Sequence, residues 1–142
     1  MHTSQKGDIG LCHVITSFTE AGYYISLPLS EHLPYDLIVD DGISNLLRIQ
    51  VKYSTITKKG IITLRLSTSS CVVGGYKRKI YDADTVDGFV VYCPDVNSLY
   101  YFNSCEVAGM TAVNLRTTPP KNNQKRGIWL AEDYIDVNRI MT

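Results

Sequence analysis

The sequence feature that most constrains the fold is a pair of apolar segments, 33–40 and 46–53, joined by a short polar loop. In the second segment, apolar residues alternate strictly with Arg48, Gln50 and Lys52. A period of two residues predicts a strand with one apolar face and one polar face. The loop contains an Asp-Gly pair, which is typical of tight turns. We therefore predict two neighbouring strands around which the rest of the chain is organised.

Polar residues of this strand pair predict a chemical site. If Asp36 lies on the strand next to 46–53, its carboxylate can reach the same surface as Gln50 and Lys52. A carboxylate, an amide oxygen and an ammonium group on one sheet face suit a divalent metal ion and a phosphate. The alternative is an ordinary half-exposed strand, on which Asp and Lys alternate with apolar residues simply because one face meets water.

The segment from about 5 to 21 has apolar residues at helical spacing and predicts an amphipathic helix. Ser4 is a candidate N-cap, and Gly22 is a natural C-terminal stop. Asp8 lies one turn before Leu11, near the edge of the apolar face. Its carboxylate either projects toward the sheet or complements the helix dipole in the first turns.

The rest of the chain predicts more strands than helices. The segments 68–85 and 117–127 are polar and rich in turn residues, and 129–141 predicts a short closing helix. These patterns indicate an α/β (α+β) fold in a single domain, residues 1–142. Further strands are predicted at 23–29, 61–67, 89–93 and 98–102.

The 14 basic and 14 acidic residues give a formal net charge of zero, so no global positive field indicates nucleic acid. Basic residues are nevertheless clustered. Each cluster is either a solvated turn or part of a one-sided surface that contacts DNA phosphates. The candidate DNA-binding residues are Lys58, Lys59, Arg65, Lys77, Arg78, Lys79, Lys121, Lys125 and Arg126.

The compartment is suggested by two simple features. The four cysteines form no CxxC pair, which argues against a zinc site and fits reduced thiols in the cytoplasm. No apolar run approaches the roughly 20 residues of a membrane span. We therefore expect a cytoplasmic protein with no membrane contact.

Two motifs carry a resemblance to a known family. Pro34-Tyr35-Asp36 followed by Gln50-Val51-Lys52 resembles the PD-(D/E)XK nuclease motif, with Gln in place of the usual acid. The segments Lys6-Gly7-Asp8-Ile9-Gly10 and Leu27-Pro28-Leu29 make the chain similar to small cyanobacterial homing endonucleases encoded in group I introns. This resemblance implies a restriction-endonuclease-like core, with a mixed central sheet flanked by helices.

The resemblance also implies a site. Catalytic residues would be Asp36, Gln50, Lys52 and Asp8. Metal ligands would be Asp36, Asp8 and the main-chain carbonyl of Val51, holding Mg²⁺ or alternatively Mn²⁺. Many related enzymes carry a Glu on the first helix, and the region near Leu11 has none, so Asp8 is the candidate replacement.

The implied function is site-specific cleavage of double-stranded DNA. One chain has one site, so cutting both strands implies a homo-oligomer, either a dimer or a tetramer. Two alternatives remain open. A Holliday-junction resolvase would share this core, and a non-catalytic nucleic-acid-binding protein could keep the fold without the second acid.

Overall fold

The computed structural model describes residues 1–72, 75–80 and 85–141, with the backbone alone for 67–72 and 75–80. One α-helix, ten strands and three short 3-10 helices make up the described part. The helix is α1 (Thr3–Glu20), and the 3-10 segments are Ser104–Val107, Ala131–Tyr134 and Val137–Met141. The strands are β1 (Tyr24–Ser26), β2 (Leu37–Asp40), β3 (Leu46–Tyr53), β4 (Ile61–Arg65), β5 (Ser67–Val72), β6 (Gly75–Ile80), β7 (Gly88–Cys93), β8 (Ser98–Asn103), β9 (Ala112–Arg116) and β10 (Trp129–Leu130).

The central sheet is mixed, as the resemblance implies. Its strand order is β1-β2-β3-β7-β8. The β3–β7 pair is parallel, and the other neighbours are antiparallel. The two motif strands are therefore adjacent, and β3 lies at the centre of the sheet.

Helix α1 covers one face of this sheet. Its buried residues are Gly10, Val14 and Phe18, spaced four apart, and Val14 and Phe18 pack in one cluster with Leu37 and Ile49. Gly10 faces β3, because a Cβ built there would be in ordinary van der Waals contact with Cγ1 of Val51, at 3.5 Å. The packing of α1 therefore brings the turn around Gly10 against the second half of β3.

The predicted helix limits need a small correction. The helix begins at Thr3 rather than after Ser4, because His2 is the N-cap and its N–H donates to Oε1 of Gln5 at 3.1 Å. Gly22, with φ of +93°, follows the helix end as predicted. No helix in the described part of the chain is both long enough and apolar enough to span a membrane.

The opposite face of the central sheet is covered over only half its width. A second sheet, with order β10-β9-β4, packs its Leu64 and Leu115 against Phe89 and Phe102 of β7 and β8. All six residues of β7 are buried as a result. No residue of β1, β2 or β3 belongs to this second cluster. The polar face of β2 and β3 therefore stays accessible.

Three segments differ from the sequence-based prediction. The polar segment 68–85 contains an antiparallel pair, in which Ser67 is opposite Ile80 and Val72 opposite Gly75. Residues 112–116 form a strand paired with β4, in which only Val113 and Leu115 are buried. The closing helix predicted at 129–141 is instead a two-residue strand followed by two 3-10 segments.

Candidate active site

The candidate site lies where β2 and β3 separate. Leu37 and Ile49 form the last residue pair of the two strands, and the Asp36 N–H donates to the Ile49 carbonyl at 2.8 Å. Beyond this point the Val51 N–H donates to Oδ2 of Asp36, also at 2.8 Å. The Asp36 side chain thus pairs with β3 at the position where a longer β2 would have paired through its backbone. The Asp36 carboxylate is fixed in the gap beside β3.

Strand alternation decides which side chains share this gap. Leu37 and Ile49 are fully buried under α1. Neighbouring residues on a strand point to opposite faces, so Asp36, Gln50 and Lys52 point away from α1. The structure therefore brings these three predicted residues onto one accessible face, as the alternation predicted.

The charges of this site interact. Burial raises the pKa of Asp36, while the Val51 N–H and the positive charge of Lys52 partly oppose that increase. Burial lowers the pKa of Lys52, and the charge of Asp36 opposes the decrease. Each group is therefore partly removed from water and close enough to feel the other.

Gln50 supplies a neutral group next to the carboxylate. Its Nε2 lies 3.5 Å from the Val51 carbonyl oxygen. The two ends of an amide exchange places by rotation about χ3, which would bring Oε1 beside that carbonyl. Together with Asp36, the site can then offer a carboxylate, a peptide carbonyl and an amide oxygen.

These oxygens fit a hard divalent cation. Mg²⁺ is commonly held by one or two carboxylates, with waters in the other positions. Among residues 1–66 and 85–141, whose side chains the structure describes, no three His, Cys, Asp or Glu side chains come together. The protein would therefore contribute few charged ligands, which suits Mg²⁺ or Mn²⁺ better than a zinc ion.

Asp8 is less closely tied to the site than Asp36. It is exposed on α1, and its carboxylate makes no hydrogen bond or ion pair with any residue that the structure describes. It lies two residues before Gly10, whose turn faces β3. Its role as a second acid stays a prediction.

Lys6 lies on α1 beside the end of β3, although its charge had no role in the sequence-based prediction. It is one turn before Gly10 on the same side of α1, and its Nζ lies 6.0 Å from the centre of the Tyr53 ring. Tyr53 follows Lys52 on β3. The only sequence signal for this position is the Lys-Gly-Asp segment that contributed to the resemblance.

An ion pair on the same polar face was not predicted either. Nε of Arg48 donates to Oδ2 of Asp87 at 2.9 Å, and NH2 donates to Oδ1 at 3.1 Å. The Arg48 N–H also donates to Oδ2, at 2.8 Å. This pair joins β3 to the residue before β7. The guanidinium holds the pKa of Asp87 below its usual value.

The basic residues predicted to contact DNA are spread over several elements. Lys58 and Lys59 are exposed in the turn before β4, and Arg65 is exposed at its end. Lys121, Lys125 and Arg126 are exposed in the connection between β9 and β10. The remaining three, on β6, have side chains outside the described residues: Lys77, Arg78 and Lys79. Their contact with DNA stays a prediction.

Comparison with known proteins agrees with this fold. A family model described as PD-(D/E)XK endonuclease matches residues 1–137. The fold is similar to the solved structure of a bacterial homing endonuclease, I-Ssp6803I, with a TM-score of 0.79 and 24% sequence identity. That similarity covers 94% of this chain and 88% of the other. No curated protein sequence matches the chain significantly.

Proposed function

The chain belongs to the PD-(D/E)XK endonuclease family, and on that premise we propose that it is a Mg²⁺-dependent, site-specific double-strand DNA endonuclease of the intron-homing type. The observation that carries the proposal is the gap between β2 and β3. There the Asp36 carboxylate, held by the Val51 N–H, lies on one face with Gln50 and Lys52. Mn²⁺ is the alternative cation.

The residues of the gap have separate roles in this proposal. Asp36, the Val51 carbonyl and Gln50 hold the cation. When bound, the cation would polarise the scissile phosphate and lower the pKa of a bound water. Lys52 orients the attacking water and stabilises the charge that develops on the phosphate. Partial burial strengthens both interactions, because the local dielectric constant is lower than that of water.

Gln50 distinguishes this site from one with two acids. A neutral ligand leaves one negative charge fewer beside the cation, which should weaken metal affinity. Asp8 is proposed as the further acid, because the first helix has no Glu at the position where many related enzymes carry one. If Asp8 has this role, Asp8→Ala should raise the Mg²⁺ concentration needed for cutting. An unchanged requirement would remove Asp8 from the site.

The proposed reaction needs more than one chain. Each chain has one such gap in its described part, whereas a duplex has two strands to cut. A homo-oligomer, either a dimer or a tetramer, would place two sites on the two strands. Such an assembly would also recognise a longer DNA site than one chain of this size can.

One cleavage experiment tests the proposal. Purified protein is incubated with a plasmid library of random inserts and, separately, with four-way junctions, in Mg²⁺ and in EDTA. Linear product with defined ends in Mg²⁺ alone supports the endonuclease. Selective junction cutting indicates a resolvase instead. DNA binding without cutting of either substrate indicates the non-catalytic alternative.

Asp36→Asn is the matched control for contaminating nuclease. Asn keeps an oxygen that can accept from the Val51 N–H, so the local structure should persist while the negative charge is lost. Cutting that persists in this variant would show that the activity does not come from the proposed site.

A further inference from the structure

The outer face of the second sheet carries a polar pair that has no role in the candidate site. The residues of β4 and β9 that pack against the central sheet are Ile62, Leu64, Val113 and Leu115. The residues between them point to the opposite face, because side chains alternate along a strand. Thr63 and Asn114 are directly opposite each other in the β4–β9 register. They therefore form one polar row at the centre of the outer face.

This outer face points in the same direction as the candidate site. In the central sheet Gln50 is opposite Phe89 and Lys52 is opposite Val91, so these side chains share the face that lies away from α1. The second sheet packs on Phe89 and Val91. It is thus a further layer on that face, and its own outer side chains also point away from α1. A duplex that reaches the gap would lie beside this layer, which begins one strand away from Gln50.

Positive charge is concentrated on the second sheet and its connections. Residues 54–66 and 107–131, which contain β4, β9 and β10, hold seven of the 14 basic residues and none of the 14 acidic residues. The rest of the chain therefore has twice as many acidic as basic residues. A chain with zero formal net charge is in this way strongly positive in one region, which suits the phosphates of DNA.

Cations lie at both ends of the polar row. Lys58 and Lys59 are exposed in the turn before β4, and Arg65 is exposed at its end. Arg116, at the end of β9, instead donates from Nε to the Thr118 carbonyl at 3.3 Å. The five residues of β4 span about 14 Å at roughly 3.4 Å a residue, which is close to the width of the major groove of DNA, about 12 Å. Cations at the two ends can therefore contact phosphates on the two edges of one groove while the centre faces the bases.

An open groove on the protein joins the polar row to the two lysines. Its volume is about 420 Å³, and its lining residues are Thr57, Lys58, Lys59, Ile61, Thr63 and Asn114. At the polar row, the described part of the second sheet consists of two strands, since β10 pairs with β9 only at Leu115 and Arg116. A two-stranded ribbon is narrow enough for the major groove. The width of the sheet at this row therefore permits contact with base edges.

The hydrogen-bonding groups of the row are those that recognise adenine. Oγ1 of Thr63 donates to Oδ1 of Asn114 at 3.0 Å, which orients the amide. Nδ2 of the exposed Asn114 makes no hydrogen bond with any residue that the structure describes, and Oδ1 keeps a second lone pair. An Asn amide can donate to N7 of adenine and accept from its N6 amino group. The other bases do not present this pattern in the major groove.

We propose that the outer face of β4 and β9 reads base edges in the major groove of the DNA target, and that Asn114, held by Thr63, selects an adenine there. The proposal deepens the endonuclease function, on which it rests for duplex DNA as the substrate. Recognition of sequence then belongs to a surface separate from Asp36, Gln50 and Lys52, so specificity and cutting depend on different residues.

Selection from a pool of duplexes with random sequence tests the proposal. The wild type, Asn114→Ala and Thr63→Val are each incubated with the pool in EDTA, so that binding is measured without cutting, and the bound duplexes are sequenced. Asn45→Ala is the matched control, because Asn45 is exposed and its amide also bonds a neighbour, from Nδ2 to Oδ2 of Asp41 at 2.7 Å. Circular dichroism verifies that each variant folds.

We expect the wild type and Asn45→Ala to select the same consensus sequence. Asn114→Ala should lose the preference for adenine at one position and its symmetry-related copies, and it should bind the consensus duplex about tenfold more weakly. Its salt dependence should equal that of the wild type, because no charge is removed. Thr63→Val keeps a residue that favours strands but lacks the hydroxyl, so it should weaken the preference at the same position.

An unchanged consensus for Asn114→Ala, or an equal loss of affinity for all sequences, would overturn the proposal. If Asn114→Ala does not fold, the consensus selected by Thr63→Val decides by the same criteria. A wild type that binds duplexes without preference would also overturn it. A wild type that selects a consensus but cuts no DNA would leave base reading standing and reject only the endonuclease. Site-specific cutting whose sequence preference is the same in Asn114→Ala would reject only base reading.

Discussion

The Val51 N–H donates to Oδ2 of Asp36 at 2.8 Å, and this bond holds the carboxylate next to the carbonyl of the same residue. A carboxylate fixed by a backbone donor keeps its geometry without a metal ion, so little reorganisation is needed when a cation binds. The bond forms where β2 ends, because a longer β2 would occupy the space beside Val51 that the Asp36 carboxylate fills. The site therefore depends on the separation of the two strands as much as on the residues themselves.

The first prediction concerns the two charged residues of the gap. Asp36→Asn and Lys52→Ala should each lower the cleavage rate by at least about a hundredfold, because each interaction strengthens in the transition state. Duplex affinity, measured by gel shift, should change little. Cleavage at the wild-type rate in either variant would contradict the assignment.

Gln50 gives a prediction about the metal ion. Gln50→Glu adds a charged oxygen beside Asp36, so cation binding should tighten and half-maximal cutting should occur at a lower Mg²⁺ concentration. Gln50→Ala should require more Mg²⁺ than the wild type. Cleavage is titrated with Mg²⁺ and Mn²⁺ for all three proteins. If Gln50→Ala has the wild-type titration curve, Gln50 is not a ligand.

We predict that Lys6 contacts a DNA phosphate, because its ammonium lies on the surface beside the Tyr53 ring at the end of β3. Lys6→Ala should lower the slope of log affinity against log salt by about 0.9, and Lys6→Arg should keep it. The control is Thr16→Ala, an exposed position on the same helix. A wild-type slope for Lys6→Ala would indicate that the residue only packs against the ring.

The distributed basic residues should supply most of the remaining phosphate contacts. Single Ala variants of residues that touch only phosphate should bind target and random duplexes more weakly by the same factor. For each, the slope of log affinity against log salt concentration should be lower by about one. Arg116→Ala, outside the predicted set, is the control. If every one of these Ala variants binds DNA like the wild type, the DNA surface lies elsewhere. The nine positions are Lys58, Lys59, Arg65, Lys77, Arg78, Lys79, Lys121, Lys125 and Arg126.

The ion pair of Arg48 and Asp87 predicts how stability depends on pH. The pKa of Asp87 is lowered in the folded state, because Arg48 bonds the ionised carboxylate. Its contribution is present above the unfolded pKa and is lost as pH falls through the folded pKa. Asp87→Asn should thus destabilise the fold by about 1–2 kcal/mol at pH 7, and this difference should shrink below about pH 4.

Urea unfolding at several pH values measures this effect. Glu132→Gln removes an exposed acid of the segment after β10 and serves as the control. A destabilisation by Asp87→Asn that is the same at pH 3 and pH 7 would show that lost packing, rather than the ion pair, is responsible.

The sequence by itself determined the residues of the gap. Alternation along 46–53 predicted that Gln50 and Lys52 share a face, because successive side chains of any strand point to opposite sides. The short loop made 33–40 the neighbouring strand, so Asp36 had to lie within reach of them. Helical spacing placed Val14 and Phe18 on one buried face of the first helix in the same way. Each of these inferences depends on backbone geometry within one short segment.

Tertiary structure decided what depends on segments that are distant in the chain. Arg48 meets Asp87 across 39 positions, and no local pattern marks either residue as the other's partner. The β4–β9 pair buries one half of the central sheet and leaves the other half open, which is why Tyr24 and Leu46 are exposed at all. Pairing between distant strands is selected by the total free energy of packing. The hydrophobic periodicity of one segment contains no information about that free energy.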